Sequence, residues 1–221
     1  MPTLILIRHG RSQANAAGVL AGRTPGVALD DTGVRQADAL ADRFAHVSFS
    51  RIVTSPLERC RATAVTLARG ESEPIVDDRL VECEYGEWTG RKLEELHDEP
   101  LWAEVQDMPS GVRFPGGESM PELYARVTTA VADHNAAVDE HGVWAAVTHA
   151  DVIKAIIADA VGVGLDLFQR FVVDPGSVSA IHYGKQRTAI WKLNDTGVDD
   201  LGAPHRAREP EIAVGGGAGS T

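Results

Sequence analysis

A guanidinium beside an imidazole is a pair that can move a phosphoryl group. A neutral ring nitrogen attacks phosphorus directly, and the adjacent cation offsets charge on the equatorial oxygens. The chain carries such a pair in Arg8-His9-Gly10, where Gly10 lets backbone N–H groups come close to an anion. Val147-Thr148-His149-Ala150-Asp151 sets a second histidine in a similar place, after an apolar run and before a helix-forming one. His149 could hydrogen-bond the group in transfer and stabilise its charge. Arg59 belongs to Ser55-Pro56-Leu57-Glu58-Arg59, which reads as a serine N-cap, proline at the first helical position and glutamate three residues past the cap. That places Arg59 in a first helical turn, where the dipole disfavours a cation unless an anion is bound beside it. Ester cleavage also needs a proton for the leaving oxygen. In Leu80-Val81-Glu82-Cys83-Glu84-Tyr85-Gly86-Glu87, Glu82 is the candidate general acid, with Glu84 and Glu87 read as solvated. Each element alone has a structural alternative: a core histidine at a strand end, an arginine in a surface ion pair.

The elements that would hold these groups can be read from periodicity. Thr3 to Arg8 is an apolar run suited to a strand buried on both faces. Asp30-Asp31-Thr32-Gly33 can start a helix with Ala37, Leu40, Ala41 and Phe44 on its apolar face. Ser50 to Thr54 follows as a strand and Pro56 to about Ala68 as a helix. Glu118 to Val138 has helical spacing, Val143 to Thr148 is a strand, and a helix runs from about Ala150 to Val161. Ser177 to Tyr183 and Thr188 to Leu193 alternate around Gly184-Lys185-Gln186 as a hairpin. The alternation implies a three-layer α/β/α sandwich with a mostly parallel central sheet and an antiparallel edge. Both histidines then lie at carboxyl ends of strands, where open α/β sheets form their ligand crevice.

At 221 residues, with 43% hydrophobic and 24% charged residues, the chain fits one folded domain over residues 1–200. Residues 201–221, ending in Gly215-Gly216-Gly217-Ala218-Gly219-Ser220-Thr221, cannot build a core and read as a flexible tail. The net charge of -11 argues against nucleic acid or an anionic membrane as partner, since such surfaces need basic patches. Cys60 and Cys83 have neither disulfide-scaffold nor zinc spacing, and reduced thiols fit a cytoplasm. Leu4-Ile5-Leu6-Ile7 is too short for a signal-peptide core, and no apolar run approaches membrane-spanning length, so a cytoplasmic protein is expected. Thr66 stands six positions after Cys60, where a cysteine-based phosphatase loop would need arginine. No G-x-x-x-x-G-K-[ST] or G-x-S-x-G sequence occurs.

These motifs, with Ser12, Asn15, Gly22-Arg23, Thr63, Gly86-x-Trp88-x-Gly90 and Pro115-Gly116-Gly117-Glu118-Ser119, occur in an order that resembles the histidine phosphatase superfamily, or phosphoglycerate mutase-like family. The resemblance runs from about Thr3 to Leu193. It implies a phosphohistidine formed on His9, a phosphate pocket built by Arg8, Arg59 and His149, and Glu82 as proton donor. Gly10, Asn15, Gly22, Arg23 and Ala150 fall where the family contacts phosphate or substrate. Neither a metal nor another cofactor is implied, because arginines and histidines do the electrostatic work that magnesium does elsewhere. Arg11 replaces a frequent glutamate or glutamine, Ala14 a tryptophan usual in glycolytic mutases, and Ala150 the usual glycine, with Asp151 beyond it.

The expected activity is hydrolysis of a small phosphorylated metabolite. The alternatives are mutase-type phosphoryl transfer and a non-catalytic module that binds a phosphorylated ligand. A mutase needs extra basic groups for a second phosphate and a lid that excludes water. The cap, about residues 88–117, sets only Arg91, Lys92 and Arg113 among Glu94, Glu95, Asp98, Glu99, Glu104 and Asp107. Leu96, Leu101, Trp102, Val105, Met108 and Phe114 could line it for an apolar substrate part or simply pack it down. An edge strand or the cap could support a homodimer.

Overall fold

The computed structural model describes residues 1–197; the expected tail, residues 201–221, lies outside them, as do residues 198–200. Along the chain run β1 (Thr3–Arg8), α1 (Gln13–Ala16), α2 (Asp31–Arg43), β2 (Arg51–Thr54), α3 (Glu58–Ala68), β3 (Ile75–Val76), α4 (Leu93–Leu96) and α5 (Pro100–Asp107). There follow α6 (Met120–Ala136), β4 (Val143–Thr148), α7 (Ala150–Val161), β5 (Val178–Tyr183) and β6 (Thr188–Asp195). The sheet order is β3-β2-β4-β1-β5-β6. The first four strands of that order are parallel, and the hairpin β5–β6 extends the sheet by antiparallel pairing at one edge.

Period-two alternation splits the core between the two faces. Ile5 and Ile7 of β1 join Ile52 and Val147 under Leu40 of α2 and Cys60, Ala64 and Leu67 of α3. Leu4 and Leu6 point the other way, with Val53 and Trp144, to meet Leu123 and Val127 of α6 and Ile153 and Ile156 of α7. The result is the three-layer α/β/α architecture that the strand–helix alternation implies. Of the apolar cap residues, Leu96, Val105 and Phe114 are fully buried in the second cluster, Leu101 and Trp102 pack on it, and Met108 is exposed. They anchor the cap. No helix among the described residues is long and apolar enough to cross a membrane.

Two helix starts invite comparison. At α6, Ser119 and Glu122 form the reciprocal capping box their spacing predicts. At α3 the same signature misleads: the helix starts at Glu58 instead of Pro56, and its cap residue Leu57 makes no side-chain bond. The Ser55 hydroxyl lies 2.8 Å from Nε2 of His149, and the Glu58 carboxylate accepts the Gly26 N–H at 2.9 Å. An exposed helix N–H can be hydrated, whereas a buried imidazole nitrogen without a partner is expensive, so the serine goes to the histidine.

Candidate active site

Register brings the chemistry together. Arg8 pairs with Thr148 across β1 and β4, and Thr54 with Val147 across β2 and β4, so His9, His149 and Ser55 all emerge at the carboxyl edge of three adjacent strands. The His9 N–H donates to the Thr148 carbonyl at 3.0 Å, extending the ladder by one rung. The two imidazole centroids are 5.2 Å apart with planes at 67°.

His9 is 3% exposed, and its Nδ1 lies 2.7 Å from the Gly10 carbonyl. A carbonyl only accepts, so the proton sits on Nδ1 and the lone pair on Nε2. Burial, then the cations Arg59 and Arg8, push the His9 pKa well below the usual imidazole value, leaving a neutral ring near pH 7. His149 is held neutral the same way, by burial first and Arg59 next. Arg59 donates to its Nδ1 at 3.3 Å, which leaves Nε2–H to donate to Ser55.

Arg59 links the parts. Its Nε donates to Nε2 of His9 at 3.2 Å and its Nη2 to the Gly22 carbonyl at 2.8 Å. Its Nη1 is buried without a hydrogen-bond partner among the described residues. A buried guanidinium donor left bare is expensive, and an anion would satisfy it. Arg8 is wholly buried and donates to the Val173 carbonyl at 2.7 Å. Burial lowers its pKa to about 10, so it stays cationic at neutral pH.

Glu82 is 4% exposed, and one oxygen accepts the Cys83 N–H at 2.9 Å. Burial, then the nearby Asp151 carboxylate, raises its pKa to about 7, a value suited to giving up a proton near neutrality. Its backbone is clamped by arginines: Arg23 Nε donates to the Glu82 carbonyl at 2.8 Å and Arg126 Nη2 to the same oxygen at 3.2 Å. Asp151 is buried behind the site, where it accepts the Tyr85 hydroxyl at 2.7 Å and pairs with Lys154 at 3.4 Å. It adds negative charge behind Glu82, and it does not line the cleft.

The remaining candidates divide. Asn15 and Gly22 line the cleft with His9, Arg59 and Glu82. The Asn15 side-chain oxygen also accepts from the Ser12 hydroxyl at 2.8 Å in the cap of α1. Arg23 does not line the cleft: it pairs with Glu84 at 3.0 Å and Glu118 at 3.1 Å, supporting Glu82 from behind. Ala150 is buried as the first residue of α7 and stays outside the lining. Gly10 gives its N–H to the Thr63 hydroxyl at 3.2 Å, so its absent side chain serves packing more than anion approach. A Cβ there would sit 2.4 Å from the Gly33 carbonyl oxygen. Gly10→Ala should therefore lose about 1–3 kcal/mol of stability, read as a lower urea midpoint. An unchanged midpoint would refute the close-packing account. Arg11 pairs with Asp30 at 2.7 Å, away from the cleft.

Sequence reading missed Ser55 as the partner of His149, Arg126 as a clamp on Glu82, and the wall residues Val19, Leu20, Ala21, Tyr85 and Leu93. Ser55 had a usable signal: like His9 and His149, it directly follows a strand. Cys60 packs 3.4 Å from Nε2 of His149, and burial raises its pKa to about 12, so it is a wall and not a nucleophile. Among the described residues no group of three or more His, Cys, Asp or Glu gathers that could hold a metal ion.

Comparison with known proteins places the chain in a family. A family model described as the histidine phosphatase superfamily (branch 1) matches residues 4–196. Phosphoserine phosphatase 1 of Hydrogenobacter thermophilus is 33% identical over 202 residues, 89% of this chain and 93% of that protein. The "Probable phosphoglycerate mutase GpmB" of Photorhabdus laumondii is 32% identical over 187 residues, 83% of this chain and 86% of that protein. Three mycobacterial relatives at 31% identity are longer, and this chain spans 54% of each. Among solved structures, a mycobacterial glucosyl-3-phosphoglycerate phosphatase in complex with VO3 superposes with a TM-score of 0.79 at 25% identity, covering 87% of this chain and 98% of that one.

Proposed function

The chain belongs to the histidine phosphatase superfamily, branch 1, and from that premise we propose that it hydrolyses a small phosphate monoester through a phosphohistidine on His9, without a metal ion. The observation that carries this reading is the bare Nη1 of Arg59 beside the unprotonated Nε2 of His9. An entering phosphoryl group offers Arg59 anionic acceptors better than a neutral imidazole. Arg59 then releases Nε2, whose lone pair attacks phosphorus. The P–N bond forms as the ester P–O bond breaks, and Glu82 delivers its proton to the leaving oxygen. In the second half the Glu82 carboxylate takes a proton from water, whose oxygen attacks phosphorus. The P–N bond breaks, and inorganic phosphate leaves with His9 restored. Arg8 and His149, both wholly buried next to these groups, hold the charge and geometry fixed.

Hydrolysis is favoured over mutase chemistry because Arg59 is the one cationic side chain among the described residues that line the cleft. A bisphosphorylated intermediate would need a second. The test is to incubate the purified chain with an aryl phosphate in excess chelator, quench in alkali, where phosphohistidine survives, and map the peptides. Phosphate should be found on His9. A metal requirement, or label on another residue, would overturn the proposal.

A further inference from the structure

A side chain other than glycine's strains the backbone in the left-handed region, and within a strand that conformation is out of place. Two described residues besides glycines have a positive φ. Arg69, at 52°, is the C-cap of α3, a usual place for it, whereas Asn194, also at 52°, lies within β6. The strand bulges there. Val178 pairs with Asp195 and Ala180 with Lys192, so one residue of β5, Ser179, spans both Leu193 and Asn194. The Asn194 N–H leaves the ladder and donates to the buried Ser179 hydroxyl at 3.1 Å.

The side-chain amide of Asn194 meets one residue twice. Its Oδ1 accepts the Asp174 N–H at 2.7 Å, and its Nδ2 donates to the Asp174 carboxylate at 2.8 Å. Asp174 opens the turn Asp174-Pro175-Gly176-Ser177, with proline second, Gly176 third at φ 73°, and the Ser177 N–H bonded back to the Asp174 carbonyl at 3.0 Å. This turn, with Val173 before it, holds the end of β1 and the residue after it. The Val173 carbonyl accepts Nη1 of Arg8 at 2.7 Å, and the Ser177 carbonyl accepts the Arg8 N–H at 3.1 Å. The Gly176 N–H is shared between the carbonyls of Arg8, at 3.2 Å, and His9, at 3.1 Å. Against the burial that lowers its pKa, the Glu82 and Asp174 carboxylates favour the Arg8 cation.

Residues 171–177 belong to no helix or strand, so no ladder fixes them. Strain at one residue, offset by bonds to a loop that grips the reacting groups, marks a positioning role. Resting on the hydrolase reading above, we propose that Asn194 is a positioning residue: it clamps Asp174 and so seats the turn that fixes the Arg8 guanidinium and the His9 backbone for phosphoryl transfer. Its effect reaches the reaction through Asp174 and the turn, then through Arg8 and His9.

The test compares Asn194→Gly, which takes the left-handed backbone without strain but lacks the amide, with Asn194→Ala, which lacks the amide and is strained as well. Each variant is mixed in excess with 4-nitrophenyl phosphate, and single-turnover release of nitrophenolate is followed as the protein concentration is raised to saturation. The rate constant there does not depend on the fraction of chains folded. Both variants should lose about tenfold in that rate constant, with the half-saturating concentration changed by less than about threefold. The urea midpoint should fall further for alanine than for glycine, so that the rate follows the amide and not the stability. Trp191→Ala, which removes a ring stacked on His182 in the same hairpin, should leave the rate constant unchanged. Saturated rate constants within about twofold of the natural chain, a loss confined to half-saturation, or an equal loss in Trp191→Ala would overturn the inference and leave the hydrolase reading standing. No release by the natural chain, with no phosphate on His9, would overturn the hydrolase reading and this inference with it.

Discussion

Replacing His9 by alanine is expected to lower kcat for an aryl phosphate by about 10⁴-fold or more, because it removes the atom that bonds to phosphorus. The rest of the anion site survives the change. Arg59 keeps its bonds to the Gly22 carbonyl and to His149, and it gains a second uncommitted donor once Nε loses its imidazole acceptor. Inorganic phosphate should therefore bind the variant about as tightly as it binds the natural chain, or tighter. Steady-state kinetics and calorimetric titration with phosphate separate the two effects, and His9→Asn guards against a packing defect from the smaller side chain. A variant that keeps more than about a hundredth of the rate, with unaltered circular dichroism, would show that another group is the nucleophile.

The parts of this site legible in the sequence are those that local pattern can place. His9 and His149 end apolar strands, and parallel neighbours in register bring such ends together whatever the rest of the chain does. The three-layer arrangement follows from the same alternation of strand and helix. What failed depends on partners far along the chain. Ser55 reads as a helix cap because capping is judged from the next few residues, whereas the group that claims its hydroxyl is 94 positions away. Arg23 looks like a substrate arginine until Glu84 and Glu118 occupy it, and Arg126 gives no local sign that its helix packs beside residues 79–82. Periodicity also cannot choose between core and cleft for apolar cap residues. Leu96, Val105 and Phe114 went to the core, while Leu93 lines the cleft.

Glu82 ties the reaction to pH, and its replacement should reveal this in both rate and stability. With Glu82→Gln the leaving oxygen loses its proton source, so kcat should fall by about 10²–10⁴-fold for alkyl esters and less for aryl esters, whose leaving groups need less help. In the natural chain kcat/KM should decline as pH rises through about 7, where Glu82 of the unliganded chain ionises. Asp151→Asn removes the like charge that helps raise that value, so this limb should move to lower pH. A limb that stays put would mean that burial alone sets the pKa. The same shift makes a stability claim. Against an ordinary value of 4.5, a folded value of about 7 means that the folded chain holds this proton where the unfolded chain has released it. Below pH 4.5 both forms are protonated and nothing is lost. Between there and about pH 7 stability declines, by on the order of 3 kcal/mol in all. Glu82→Gln cannot ionise, so relative to the natural chain its urea midpoint should rise as the medium is taken from pH 4.5 to pH 8. Parallel midpoints at the two pH values would mean that Glu82 ionises in the fold as freely as it does in water, and such a carboxylate could not serve as the acid.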